Sequence, residues 1–286
     1  MPPSIAIIAP GAMGSAVAAR LAEHGATVLT LLDDRSEATK RRAAAAGMVA
    51  ANDTGLVNAD IILSIVPPAE ALAFAEHMAT LITRNAKKPV FIDCNAVNVE
   101  TVRKVEGVVL SSGARFVDAA IIGLPPKPGT SGPAFYVSGE NAKDLAVLRE
   151  LGLDLRIIDG PIGAASALKM SYAGINKALT GVGAAMALAA TKAGAADALR
   201  DELALSAPAV QARLASALPD MIPKAYRWVA EMREIAGFLG EDHPAALIYE
   251  GLARLFEHIA ADAQGAGTEA AKLVAFAESC KANKPA

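Results

Sequence analysis

From residue 4 to about residue 160 the chain alternates short β-branched runs with amphipathic helical stretches, and beyond residue 163 the strand-like runs stop. Strand candidates fall at residues 5–9, 27–32, 60–66, 89–93, 115–122, 134–138 and 155–159, with helical stretches at 12–24, 36–46, 69–83, 98–106 and 140–151 between them. This alternation implies βαβ units, and so a mainly parallel sheet covered on both faces. Such sheets bind ligands outside the carboxyl ends of their strands. The C-terminal part reads as all-helical. Its first helix, from about Gly163 to Lys192, would be about 45 Å long, and Pro208, Pro219, Pro223 and Pro244 punctuate the helices after it. At 286 residues the chain has the length of two domains, and the pattern divides it into 1–161 and 162–286.

Composition removes several functions. Hydrophobic residues make up 53% of the chain but aromatic ones only 4%, and the net charge is −3. Neither the aromatic platform of a single-strand binder nor a basic footprint is offered, which argues against nucleic acid as a partner. Cys94 and Cys280 are the only cysteines and form no CxxC pair, so no disulfide framework or thiolate zinc site is expected. His24, His77, His243 and His258 are scattered, neither HExxH nor GxSxG occurs, and no metal is expected. The opening residues run from Met1-Pro2-Pro3 straight into a strand candidate, without the pattern of a signal peptide, which predicts a cytoplasmic protein. Residues 178–191 are apolar but too few for a bilayer span and are bounded by Lys177 and Lys192, so they read as a buried helix and no membrane partner is expected.

The first strand–helix turn reads IAIIAPGAMGSAVAARLAEHG, residues 5–25. The dinucleotide fingerprint G-x-G-x-x-G sets its three positions at Ala9, Gly11 and Gly14, so the first glycine is an alanine and Pro10 brings no N–H. The context fits nonetheless: a strand ends at Ala9, a helix begins at Ala12 and a second strand ends at Asp33. Gly14 stands where helix and strand must pack closely, and the N–H groups of Gly11, Ala12, Met13 and Gly14 are expected free at a helix N-terminus to hold a pyrophosphate. Together these predict a doubly wound Rossmann sheet that binds a dinucleotide, followed by an all-α domain entered by a long helix. Asp33 lies 19 residues after Gly14, where an acid binds the ribose hydroxyl of NAD, while Arg35 and Ser36, with Thr39 and Arg42 on the next turns, suit the 2′-phosphate of NADP. Arginine with a hydroxyl matches a phosphomonoester better than a diol, so NADP is the expected cofactor and NAD the alternative.

Several further stretches carry a family resemblance. APGAMGSAVAARLAEHGATV, ADIILSIVPP (59–68), FIDCNAVNVET (91–101), FVDAAIIGLPPKPGTSGPAFYVSG (116–139) and GAASALKMSYAG (163–174) together resemble the β-hydroxyacid dehydrogenase superfamily, the relatives of 6-phosphogluconate and 3-hydroxyisobutyrate dehydrogenases. Within it the chain is most similar to the subgroup whose C-terminal domain is known as DUF1932. The resemblance covers nearly the whole chain. It implies a cofactor lined by backbone near Val66 and Pro67, Asn95 and Ala96 near the nicotinamide, and a homodimer. It also sets Ile122, Gly123 and Leu124 where the family has Ser-Gly-Gly to meet a substrate, Lys169 as the catalytic lysine, Tyr172 where asparagine is usual, and Glu231 where a substrate-binding lysine is common.

The residues around Lys169 agree with that role. Alcohol oxidation needs a group to take the hydroxyl proton, and the reverse reaction needs the same group as acid; a lysine whose pKa burial lowers to about 7–8 serves both. Lys169 is the only charged residue between Gly163 and Asn176, and on a helix Tyr172 and Asn176 share its face. Lys177 and Lys192 are expected to snorkel to the surface. With Ile122 and Glu231 replacing a hydroxyl and a cation, a plain small hydroxy acid is less secure as substrate; Glu231 could meet a cationic amine or pair with Lys169. The leading expectation is an NADP-dependent dehydrogenase or reductase of a small-molecule hydroxyl/carbonyl pair. An imine reductase and a non-catalytic NADP(H)-binding regulator are the alternatives.

Overall fold

The structure is a computed structural model that describes residues 3–127, 129–130, 132–240 and 242–282. The chain divides into two compact units, Met1–Met170 and Ser171–Ala286.

The first unit is built on strands β1 Ser4–Ile8, β2 Thr27–Thr30, β3 Val49–Ala50, β4 Ile61–Ser64, β5 Val90–Asp93, β6 Arg115–Ile122, β7 Ala134–Ser138 and β8 Asp154–Ile157. Between them run helices α1 Ala12–Glu23, α2 Glu37–Ala45, α3 Asp53–Val57, α4 Ala71–Arg84, α5 Val99–Ser111 and α6 Ala146–Glu150, with 3₁₀ turns at Pro68–Glu70 and Glu140–Leu145. The sheet order is β3-β2-β1-β4-β5-β6-β7-β8, with β6–β7 antiparallel and the other pairs parallel. Strand order reverses between β1 and β4, the switch point at which a doubly wound sheet receives its ligand.

Both faces are buried, as parallel strands require. Along β1 the side chains alternate between two cores: Ile5 and Ile7 pack with Val17, Leu21 and Val28, while Ala6 and Ile8 pack with Ile62, Met78, Phe91 and Phe116. β2 ends at Thr30, earlier than the expected 32, so Asp33 lies in the turn that follows the strand and not at its last residue. Thr30 turns its hydroxyl onto the Ile7 carbonyl at 2.8 Å and its own carbonyl accepts from Ala51 N–H. β3 and α3 carry too few residues to show a period, and the sequence pattern does not reveal them.

The long helix α7, Ala164–Lys192, begins in the first unit and continues into the second. The second unit adds α8 Ala196–Ser206, α9 Pro208–Met221, α10 Ala225–Leu239, α11 Ala246–Gln264 and α12 Thr268–Ala282, with a 3₁₀ turn at Ile222–Lys224. There α10 packs along α11 and α9 along α12. Glycines on α7 permit close approach: a Cβ at Gly181 would run into Leu252 and Phe256, and one at Gly183 into Leu214. Pro208 opens α9 at its first turn, whereas Pro219 lies inside that helix rather than ending it. Residues 178–191 form a helix but not a buried one, because Leu179, Val182 and Met186 are about half exposed within the chain. No helix of the described residues is long and apolar enough to cross a membrane.

Candidate functional site

The glycine loop joins β1 to α1. Gly14 packs against the strand so closely that a Cβ there would overlap the Ala9 carbonyl, which leaves glycine as the residue that fits. At Gly11 a Cβ would meet no atom within 4 Å, so nothing inside the protein demands a glycine there. That open space lies at the N-terminus of a 12-residue helix, and among the described residues no backbone carbonyl accepts from Ala12, Met13 or Gly14 N–H. Donors without carbonyl partners, a favourable helix dipole and room for close approach fit a pyrophosphate. The expectation for Gly11 N–H needs correction: it donates to the Ala9 carbonyl at 2.8 Å and so closes the turn. Ser15 donates back to the Gly11 carbonyl at 2.7 Å.

Past β2, Asp33, Arg35 and Ser36 are exposed. Ser36 caps α2, accepting from Thr39 N–H at 3.3 Å and bonding the Thr39 hydroxyl at 3.0 Å, so both hydroxyls first serve the helix. Arg42, though exposed, donates to the Pro10 carbonyl at 3.0 Å and braces the glycine loop. Asp33 lines a shallow depression of about 530 Å³ together with Leu31, Asp34, Asn52, Asp53 and His77.

At the other end of the carboxyl edge four polar residues stand in register on neighbouring strands: Ser64 of β4, Asp93 of β5, Asp118 of β6 and Ser138 of β7. All are buried. Asp118 acts only as an acceptor: its Oδ2 receives Ser138 Oγ–H, Gly163 N–H and Ser166 N–H at 3.0–3.1 Å, and its Oδ1 receives Ser166 Oγ–H at 2.7 Å. Ser138 Oγ in turn accepts from Ala165 N–H at 3.1 Å. One carboxylate and one hydroxyl thereby tie the first turn of α7 to the sheet and satisfy N–H groups that a helix leaves open. Gly163, at φ 96°, makes the bend that brings those groups in, and a Cβ there would run into Val99.

Asp93 differs. Its Oδ1 accepts from Asn95 N–H at 2.9 Å, but its Oδ2 is buried without any hydrogen-bond partner. Burial pushes this carboxyl up to about 7; the Asn95 N–H bond opposes the shift, the neighbouring Asp118 adds to it, and Lys169 works against it. Burial likewise pushes the Cys94 thiol far up, with the Asp93 charge adding and Lys169 opposing. Lys169 itself is half-buried on α7, three residues beyond Ser166 and so on the same side of the helix.

Asn95 is buried, and its side chain holds the backbone: its Oδ1 accepts from Val66 N–H at 2.7 Å and its Nδ2 donates to Ser64 Oγ at 2.8 Å. Val66 is half-buried and Pro67 exposed beyond β4, where Pro67 stands just before the 3₁₀ turn that Pro68 opens. Ile122 ends β6, and Gly123, at φ 132°, turns the chain where a Cβ would crowd Pro133.

In the second unit Tyr172 is 53% exposed. Asn176 donates to the Tyr172 carbonyl at 2.7 Å, and its Oδ1 and carbonyl both accept from Arg213 at 2.8 Å. The expected polar stripe therefore has its Asn176 side chain engaged by α9. Glu231 forms an ion pair with Lys177 at 2.5 Å, and Lys177, whose side chain is 16% exposed, also lies over the Trp228 ring. Lys177 is thus packed rather than snorkelling, and it is a cation that meets Glu231. Lys192 is exposed.

Asp93, Asp118, Ser138 and Ser166 were not among the residues singled out by sequence. Their one signal was an aspartate inside each of two apolar strand runs, FID and FVD, where a doubly covered sheet admits no solvent.

The model of the NAD binding domain of 6-phosphogluconate dehydrogenase matches residues 4–150, and a domain of unknown function, DUF1932, matches residues 190–259. An uncharacterized 28.5 kDa protein of Methanothermus fervidus is 32% identical over 157 residues, which cover 54% of this chain and 58% of that protein. Among solved structures, a conserved protein of unknown function whose structure reveals similarity with 3-hydroxyacid dehydrogenases superposes with TM-score 0.73 at 23% identity, over 94% of this chain and 99% of its own. The 3-hydroxyisobutyrate dehydrogenase of Mycobacterium tuberculosis gives 0.62 at 20% identity over 98% and 99%. An imine reductase from Myxococcus stipitatus in complex with NADP+ gives 0.58 at 20% identity over 96% and 99%. At such identities these likenesses speak for the fold. By its sequence the chain belongs to the dehydrogenase family defined by the NAD binding domain of 6-phosphogluconate dehydrogenase, with a DUF1932 region in its helical unit.

Proposed function

We propose that the protein is an NAD(P)-dependent dehydrogenase acting on the hydroxyl/carbonyl pair of a small hydroxy acid or related compound, with Lys169 as its acid/base. The observation that carries this reading is the seating of the lysine's helix: Asp118 receives the N–H groups of Gly163 and Ser166 at the carboxyl edge of a dinucleotide-binding sheet, one turn before Lys169. In this reading Ala12, Met13 and Gly14 hold the pyrophosphate and Gly11 leaves room for it. Asp33, Arg35 and Ser36 face the ribose, and Val66 and Pro67, fixed by Asn95, line the cofactor. Bound NAD(P) supplies the hydride acceptor or donor. Lys169 takes the hydroxyl proton in oxidation and returns it in reduction, a role worth about 10²–10⁴-fold. Ile122, Gly123, Tyr172 and Asn176 are its proposed substrate contacts. Glu231 already faces Lys177, so the observation that would favour an iminium substrate is lacking.

Among the described residues Arg35 enters no ion pair, which supports NADP over NAD; NADPH fluorescence titration should show about a tenfold loss on Arg35→Ala with NADH affinity unchanged. Equal effects on both would assign the preference elsewhere. Ile175, Leu179, Val182 and Met186 form an exposed stripe at heptad spacing on α7, which supports a homodimer closed by a second copy of the chain. Sedimentation at micromolar concentration would reveal the dimer, and a monomer would remove it from the reading. Both cysteines are buried thiols, in keeping with a cytoplasmic enzyme. The reading is tested by screening hydroxy acids, amino alcohols and imines for absorbance change at the nicotinamide band. Oxidation of a hydroxy acid supports it. Tight dinucleotide binding with no turnover of any class would favour a regulator.

A further inference from the structure

Between β6 and β7 the chain leaves the carboxyl edge of the sheet and returns to it over residues 123–133, a segment that follows directly on the proposed substrate contact Ile122 and begins with Gly123. Pro125, Pro126, Pro128 and Pro133 bring no N–H, so this segment is poor in backbone donors. A Cβ at Gly123 would crowd Pro133 and one at Gly132 would crowd Pro126, so its two limbs lie against each other. It closes one turn of its own: Lys127 N–H donates to the Thr130 hydroxyl and Thr130 N–H to the Lys127 carbonyl, each at 3.1 Å.

That turn is fastened from α1. Arg20 Nη2 donates to the Thr130 carbonyl at 2.7 Å and to the Lys127 carbonyl at 3.3 Å, while its Nη1 donates at 3.5 Å to the carbonyl of Gly152, in the turn before β8. The Arg20 side chain is only 14% exposed, and its ion pair with Glu23 is long, at 3.9 Å. Bonds from a guanidinium are charge-assisted, and shielding from water strengthens them. Beside them a cavity of about 70 Å³, lined by Ala16, Ala19 and Pro126 among others, leaves the seam without close apolar packing. The guanidinium, rather than hydrophobic contact, holds the segment to the helix.

We propose that Arg20 is a positioning residue for the substrate end of the site: by tying Lys127 and Thr130 to α1 it fixes the segment that begins at Gly123, and with it the face that Ile122 and Gly123 present to a substrate. In our reading the same helix holds the pyrophosphate at its first turn, so cofactor and substrate segment share one rigid support. The inference rests on that reading only for its consequence in catalysis. The fastening itself is independent of turnover.

The test begins without ligand, as amide hydrogen exchange on the full-length protein. In wild type the Lys127 and Thr130 amides exchange slowly. Arg20→Met keeps the apolar stem and loses the donors; there these amides exchange about tenfold faster while those of β1 and β4 keep their wild-type rates. Arg20→Lys, which retains a donor for the Thr130 carbonyl, falls between. Free exchange of both amides in wild type overturns the proposal, as does an Arg20→Met segment as slow as wild type. Because the wild-type rates decide by themselves, the test survives a variant that fails to fold. On the substrate pair that the screen identifies, Arg20→Met raises KM about tenfold with kcat within about threefold and NADPH affinity unchanged. An unchanged KM overturns the proposal as well. Faster exchange in a protein that turns over nothing would sink the functional reading alone, and unaltered exchange while turnover needs Lys169 would sink this inference alone.

Discussion

At the β1–β2 end of the carboxyl edge the groups that face the cofactor in our reading are backbone N–H groups and exposed side chains, Asp33 and Arg35 among them. At the β4–β7 end the polar groups are buried and bond one another across strands. The first end leaves its donors open, so its residues affect binding with little effect on stability. The second end is closed, so its residues affect the fold and the chemistry together. A polar group in the open end can be changed cheaply, whereas one in the closed end strands its partners without water.

The sharpest way to break this contrast is Asp118→Ala, which leaves the buried N–H groups of Gly163 and Ser166 without their acceptor. We expect a loss of about 3–5 kcal/mol, read by urea denaturation. A loss below about 1 kcal/mol would show that the clasp on α7 is not what seats the helix.

Next comes the pH dependence of stability. The folded Asp93 titrates at about 7, above its ordinary 3.8, so the folded state keeps a proton that the unfolded chain releases. Its contribution is full below about 4 and is lost as pH rises through about 7. The difference between wild type and Asp93→Asn should therefore change in favour of the variant by on the order of 4 kcal/mol across that window. Parallel stability curves would mean that Asp93 is ionised throughout.

A pair of glycine substitutions then separates packing from binding within the open end. Gly14→Ala drives a methyl into the Ala9 carbonyl and should cost about 1–3 kcal/mol of stability. Gly11→Ala meets open space; it should leave the melting temperature near wild type and weaken NADPH binding about tenfold, or about 1.4 kcal/mol. Loss of stability at Gly11 instead would remove the reason for reading that space as the phosphate's.

Much of the fold was legible because its signals are local. Alternating runs gave the strands of the sheet, and the uninterrupted apolar helix after Gly163 gave the change of architecture. The glycine loop was legible for the same reason, since strand end, glycines and helix start lie within a few residues. The polar row was not, because Asp118 meets Ser138, Gly163 and Ser166 from 20 to 48 residues away. The ion pair of Glu231 with Lys177 was hidden likewise, and with it the packed role of a lysine that sequence spacing sent to the surface.

The central claim is that Lys169 is the acid/base of a dinucleotide-dependent dehydrogenase. Its most direct test is the pH profile of NAD(P)H-linked turnover for wild type and Lys169→Ala, measured on the substrate pair that the screen identifies. A loss of at least about 10²-fold, with the lysine's limb gone from the profile, is the predicted result. Turnover undiminished in Lys169→Ala, with the same limb in its profile, would contradict the account.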